Sequence, residues 1–254
     1  MTSLDIRDGI ALAVFIGGWF AYNWLTDKSP WSRRGLSQAM NVQRRRWMQV
    51  MLSRDLRMID TAIMAGLQQG TAFFASTCIF AIGGCFALLG SGAQIATIAA
   101  DLPFHGQVER GLIEIKLLGE VTIFAYAFFK FGWAYRLFNY CTILIGAVPM
   151  RSDATIDPEA AQRAVFRAAR MNQLAARNFN AGLRGVFFAI AFLGWFIGPY
   201  FLIGTTLFVM AILAHRQFFS PARFAVADDD EVFLPCPPPQ KQPTQPTSLT
   251  ESSP

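Results

Sequence analysis

Residues 117–149 read LLGEVTIFAYAFFKFGWAYRLFNYCTILIGAVP, an apolar stretch longer than a membrane span requires. A span takes about 20 apolar residues at roughly 1.5 Å rise each, and 20 residues counted from Leu117 end at Arg136. The whole stretch as one helix would be about 50 Å long, against a hydrocarbon core of about 30 Å. We therefore predict a span at 117–136 whose helix extends to 148. It is either strongly tilted or projects from the membrane and packs on other protein.

The same stretch carries polar residues that form a candidate intramembrane polar site: Glu120, Lys130, Arg136 and Asn139. Glu120 and Lys130 cannot pair on one helix, because ten residues separate them by about 15 Å. Lys130 either extends its amine toward the headgroups or lines a polar path between helices. The sequence leaves both interpretations open.

The composition indicates a membrane protein. Of 254 residues, 53% are hydrophobic and 15% are charged, and the mean hydropathy is +0.34. Soluble domains carry about 25% charged residues. Three further apolar runs predict spans at about 9–25, 71–89 and 186–214. Pro199 lies near the middle of the last run, which we interpret as one tilted, kinked helix because two spans would have only about 14 residues each. Gly194 and Gly198 form a GxxxG spacing that favours close helix packing.

Basic residues are concentrated in two of the connecting segments. Segment 27–70 has eight Lys and Arg against three Asp, and segment 151–184 has six Arg against three acidic residues. Segment 90–116 has two basic and three acidic residues. The positive-inside rule assigns both basic segments to the cytoplasm and, with four spans, both termini to the outside. We expect the inner (plasma) membrane of a bacterium, with a cytoplasmic layer of basic amphipathic helices packed on 137–148.

The basic helices offer candidate contact residues for anionic headgroups or an acidic partner. They are Arg44, Arg45, Arg46, Trp47, Arg163, Arg167, Arg170 and Arg177. Nucleic acid is a poor alternative beside a bilayer. The fold class is all-α, with a four-span membrane domain at 1–220. An acidic and then Pro-rich segment at 221–254 is predicted to be disordered.

Catalytic chemistry has no support in the sequence. The two histidines, His105 and His215, are predicted at a loop and a helix end, and no Ser/His/Asp set, P-loop or CxxC spacing occurs. We predict no enzyme activity, no metal site and no cofactor.

Three stretches resemble the domain of unknown function 599 (DUF599) family of membrane proteins. They cover 44–77 (RRRWMQVMLSRDLRMIDTAIMAGLQQGTAFFAST), 130–149 (KFGWAYRLFNYCTILIGAVP) and 177–220. The resemblance implies a four-span membrane protein and no assigned activity. Independently of the resemblance, the sparse charge within the predicted spans favours a structural or accessory subunit, assembly factor or scaffold. Its expected partners are the bilayer and either other membrane subunits or copies of itself. The alternative is an oligomeric transporter or channel using Lys130 and Glu120.

Overall fold

The computed structural model describes residues 5–90 and 110–227, and within them the regular structure is helical. A 3-10 helix, Pro30–Arg34, follows the first α-helix. The α-helices are α1 Ile6–Asp27, α2 Leu36–Leu52, α3 Met58–Gly90, α4 Arg110–Gly146, α5 Arg151–Ala154, α6 Pro158–Phe192, α7 Gly194–Ile197, α8 Pro199–Phe218 and α9 Pro221–Ala227.

Helices α4 and α6 form an antiparallel pair at the centre of the bundle. Glycines allow this close contact: a β-carbon on Gly182 would lie 2.8 Å from the Phe131 ring, and one on Gly119 would lie 2.6 Å from Phe192. Helix α6 begins after Asp157, whose side chain caps the helix by accepting a hydrogen bond from the Ala160 amide at 2.9 Å. The two helices together provide the surface on which the others pack.

The remaining long helices lie on either side of this pair. On one side α3 packs against α4, where Phe74 stacks on Phe131 with ring centroids 5.5 Å apart. On the other side α1 and α8 pack together, and the Trp19 ring of α1 stacks on Phe188 of α6 at 5.2 Å. Gly18 of α1 lies directly against Met210 of α8.

Four helical segments are long and apolar enough to cross a membrane: 6–27, 58–90, 158–197 and 199–226. The protein is therefore a multi-pass membrane protein, as predicted. The predicted span 117–136 is not one of these four. Nevertheless α4 lies antiparallel between α3 and α6, so a bilayer crossed by those two helices also contains this part of α4.

The predicted single kinked helix over 186–214 is wrong. The chain turns back at Gly198, and the Thr205 hydroxyl donates to the Ala191 carbonyl at 2.7 Å. In one straight helix those residues would be about 21 Å apart. The first arm of this hairpin is long enough to span because α6 begins far upstream, at Pro158.

The hairpin also corrects the predicted placement of the termini. Asp8, at the start of α1, accepts a hydrogen bond from the Trp195 indole at the Gly198 end of the bundle. Gln217, at the end of α8, contacts Ser37 of α2 at the other end. The two ends of the described chain therefore lie at opposite ends of the bundle. Residues 221–227, predicted as disordered, form α9 and pack on α2, whereas 228–254 lie outside the described residues.

The helices at the Gln217 end pack into a second core, which we call the polar-end layer. It joins α2, the first turns of α3, the last turns of α4 and the first half of α6 around the buried side chains of Met48, Met51, Met64, Phe138, Cys141, Ile145 and Val165. The predicted packing of helices on 137–148 is thus confirmed.

Candidate functional site

The candidate polar residues of α4 do not form one site. Glu120 is buried, and both of its carboxylate oxygens lack a hydrogen-bond partner. The Lys130 amine lies over the Tyr126 ring, 5.6 Å from its centroid. Arg136 is exposed and donates to the Tyr140 hydroxyl, and Asn139 accepts from Gln68 of α3 at 2.8 Å.

A second buried polar cluster, absent from our sequence predictions, lies at the Gly198 end of the bundle. The Trp195 indole donates to Asp8 at 2.7 Å, and the Lys116 amine donates to the Trp195 carbonyl at 2.7 Å. These residues are widely separated in sequence, so only the tertiary fold brings them together. The cluster fixes the start of α1 to the end of the central helix pair.

A cavity lined mainly by polar side chains lies at the junction of the membrane bundle and the polar-end layer. This polar cleft, of about 250 Å³, is bounded by the end of α1, the 3-10 helix, α2 and α6. Its lining residues are Thr26, Asp27, Ser32, Ser37, Gln38, Asn41, Arg170, Gln173, Leu174, Ala176, Arg177, Asn180 and Arg184. Most of them are hydrogen-bonding side chains, and the three arginines outnumber the one carboxylate.

Arg184 forms the innermost charged group of the cleft. It is only 9% exposed, and it donates to Asp27 at 2.9 Å. Its Nε is buried without an acceptor. Because a guanidinium has five N–H donors, the single carboxylate leaves this arginine short of acceptors.

Arg170 and Arg177 extend the same face of α6 outward, and both are exposed. The opposite wall is positioned by two contacts: Gln173 donates to the Asn41 carbonyl at 2.9 Å, and the Asn180 amide meets the Ser37 hydroxyl at 3.5 Å. The heptad spacing of the arginines was visible in the sequence. The facing residues of α2 were not, because they depend on how α2 packs.

The other candidate contact residues lie elsewhere on the polar-end layer. Arg45 is exposed, as are Arg163 and Arg167 on α6. Arg44 donates to Asn41 at 3.2 Å, and burial lowers the pKa of its guanidinium. Arg46, also on α2, is exposed.

Trp47 was predicted to contact headgroups or an acidic partner, but its indole is directed into the layer. Its indole donates to the fully buried Asp60 at 2.6 Å, and Arg54 donates to the same carboxylate oxygen at 2.7 Å. Trp47 therefore belongs to the interior of the layer. Of the two glycines predicted to pack helices, Gly194 contacts Thr205, whereas Gly198 has open space around it and forms the turn.

Across 5–90 and 110–227, no group of three His, Cys, Asp or Glu side chains lies together. The cysteines in these ranges, Cys78, Cys85 and Cys141, are free and buried.

Comparison with known proteins gives the family. Residues 10–222 match the family described as a protein of unknown function, DUF599. The chain belongs to the DUF599 family. No curated protein and no solved structure matches it. The match includes both the membrane helices and the polar-end layer of this DUF599 protein, and with them every residue that lines the polar cleft.

Proposed function

We propose that this protein is a membrane scaffold or accessory subunit that presents the polar-end layer to an acidic segment of another membrane protein. The observation that carries the proposal is the construction of the layer. It has its own apolar core, a buried carboxylate held by Trp47 and Arg54, and arginines on its outer surface. Such a surface is rigid and positively charged, which suits recognition of a carboxylate-rich partner.

An acidic protein suits the outer arginines better than lipid headgroups do. Helix α2 runs along α6 away from the membrane bundle, since Ser37 meets Asn180 and Asn41 meets Gln173. Arg45 follows Ser37 by eight residues, or about 12 Å of helix. That distance exceeds the Debye length of about 8 Å at physiological salt, so attraction to headgroups is screened. Headgroup contact belongs to the basic residues nearest the spans, such as Lys28.

The proposed location is the inner (plasma) membrane of a bacterium, with the polar-end layer in the cytoplasm. The layer and its connections hold most of the Lys and Arg, whereas Arg7, Arg110 and Lys116 lie at the opposite end of the bundle. The positive-inside rule favours this orientation. Because of the hairpin at Gly198, the N-terminus is then outside and the C-terminus inside.

The orientation is tested by fusing a reporter that fluoresces only in the cytoplasm to each terminus of the full chain. We expect fluorescence from the C-terminal fusion alone. Fluorescence from the N-terminal fusion alone would reverse the orientation, and equal behaviour of the two fusions would refute the hairpin path.

The scaffold role is tested by extracting the protein into native lipid particles and measuring the mass of the intact complex. The variant Arg163→Gln/Arg167→Gln removes two exposed charges from the layer, and Arg7→Gln removes one from the opposite end as a control. We expect an acidic partner in the wild type and in Arg7→Gln, and its loss from the double variant. A particle that contains only this chain would overturn the accessory role.

Transport by an oligomer is the alternative, and the unpartnered Glu120 carboxylate is the observation that favours it. The distribution of the other polar groups along α4 argues against it, because they face different neighbours. Lys130→Met separates the two functions in proteoliposomes loaded with a pH-sensitive dye. If the protein is a scaffold, neither the wild type nor Lys130→Met should give a proton flux above that of protein-free vesicles. A flux that is present in the wild type and abolished in Lys130→Met would support transport.

A further inference from the structure

The polar cleft has the donor set of an anion site, and nothing so far assigns it a ligand. Its wall contains three arginines and one carboxylate, and that carboxylate already pairs with Arg184. We propose that the cleft binds a phosphorylated polyol, either as a soluble molecule or as the headgroup of a phospholipid. This proposal is independent of the acidic partner, which would contact Arg163 and Arg167 outside the cleft.

A phosphate fits the arginine geometry. The guanidinium presents paired N–H donors that match two phosphate oxygens. Arg177 and Arg184 lie two helical turns apart on α6, about 10.5 Å along the axis, which two long side chains can bridge to one group. Arg184 is nine-tenths buried and lines the inner end of the cleft, where its guanidinium donates through one nitrogen to Asp27, so this end of the cleft has more N–H donors than acceptor oxygens. A phosphate supplies them.

The rest of the cleft is suited to hydroxyl groups. The cleft has a volume of about 250 Å³. A phosphate has five heavy atoms, and even at roughly 30 Å³ for each, the share of one water in the liquid, it would leave part of the cleft unfilled. Amide and hydroxyl side chains line this remaining space, and they pair with sugar-like or glycerol-like hydroxyls as donors and as acceptors. The residues are Ser37, Gln38, Asn41, Gln173 and Asn180.

The cleft lies where both a lipid headgroup and a soluble molecule can reach it. Thr26 and Asp27 are the last residues of α1, an apolar helix with the length of a span, so the inner wall lies at headgroup depth. Arg170 lies about 21 Å farther along α6 than Arg184, beyond the headgroups. A lipid headgroup can enter beside Asp27, and a soluble molecule can enter beside Arg170.

The experiment measures binding to the full-length protein purified in a neutral detergent. The probes are glycerol 3-phosphate for the soluble source and short-chain phosphatidylglycerol for the lipid source. Short-chain phosphatidylcholine and inorganic phosphate are reference probes. Arg177→Gln removes an exposed arginine inside the cleft, and Arg167→Gln removes one from the same helix outside it. Equal elution volumes and helical signals establish that both variants are folded.

We expect either glycerol 3-phosphate or short-chain phosphatidylglycerol to bind more tightly than both reference probes. Arg177→Gln should weaken that binding by roughly tenfold or more, the usual effect of losing a charged hydrogen bond, and Arg167→Gln should leave it unchanged. Tighter binding of phosphatidylglycerol identifies a headgroup site, and tighter binding of glycerol 3-phosphate identifies a soluble ligand. Equal weakening by both variants, or no binding of either probe to the wild type, would overturn the proposal.

Discussion

The buried carboxylate of the polar-end layer gives the most direct test of how the layer is held together. Asp60 is fully buried, and one of its oxygens accepts hydrogen bonds from the Trp47 indole at 2.6 Å and from Arg54 at 2.7 Å. We consider Asp60→Ala, which removes the acceptor from both donors. Asp55→Ala is the matched control, because Asp55 is exposed and lies 3.7 Å from Arg151.

The magnitude follows from the exposure of each donor. The half-buried indole N–H of Trp47 loses its acceptor inside the layer, which costs about 1–3 kcal/mol of unfolding free energy. The Arg54 side chain is 35% exposed, so water replaces part of its ion pair, and its loss adds at most about 1 kcal/mol. Removing the carboxylate also removes the cost of its burial, which offsets some of this. We expect a net loss of about 1–3 kcal/mol for Asp60→Ala and less than about 0.5 kcal/mol for Asp55→Ala.

The assay is equilibrium unfolding in mixed detergent micelles, followed by tryptophan fluorescence. Asp60→Asn separates the two contributions, because its amide oxygen keeps the bond to Trp47 while the charge is lost. We expect it to cost about 1 kcal/mol. If Asp60→Ala destabilises the protein no more than Asp55→Ala does, the buried carboxylate does not hold α2 to α3, and the reasoning fails.

Three further substitutions test the packing by the same unfolding measurement. Gly182→Ala places a methyl group against the Phe131 ring and should lower the unfolding free energy by about 1–3 kcal/mol. Gly132→Ala has open space around the new methyl group and should raise the unfolding free energy by up to about 1 kcal/mol. Equal effects of the two variants would contradict the close contact of α4 with α6. Arg57→Met removes a guanidinium that donates to three carbonyls at the end of α4, and it should lower the unfolding free energy by about 2–3 kcal/mol. The control Arg45→Met removes an exposed arginine and should change the unfolding free energy very little. A loss below about 1 kcal/mol for Arg57→Met would show that water replaces the guanidinium at these carbonyls. Thr205→Val removes the hydroxyl that joins α8 to α6 and should cost about 0.6 kcal/mol, and a stabilised variant would argue against that bond.

Much of the architecture was predictable because apolar runs are explicit in a sequence. The runs at 9–25 and 71–89 fall within α1 and α3, and the apolar excess of 137–148 indicated the packed layer. The hairpin was missed for a physical reason. Helix α6 is central, so Arg184 and other polar residues near its membrane end face protein and not lipid. Their polarity hides the true start of the span, and the apolar run 186–214 then seems too short for two helices.

The candidate site was predictable only in part. Arg170, Arg177 and Arg184 share a heptad spacing, which any helix places on one face. Nothing local indicates that Asn41 of α2 faces them, nor that Trp47 reaches across the turn to Asp60. Those pairings depend on tertiary packing, which decides whether a basic stripe remains a solvated face or becomes the wall of a cleft.

The two central helices have a mechanical consequence. Helices α4 and α6 contain 37 and 35 residues, so each is a rod of about 50–55 Å that runs without interruption from the Gly198 end into the polar-end layer. Neither has a proline after its first residue, the commonest cause of a sharp kink. A sideways displacement at one end of this pair must therefore tilt the other end. Any tilt of the paired rods within the bilayer therefore turns the arginine surface of the polar-end layer through the same angle.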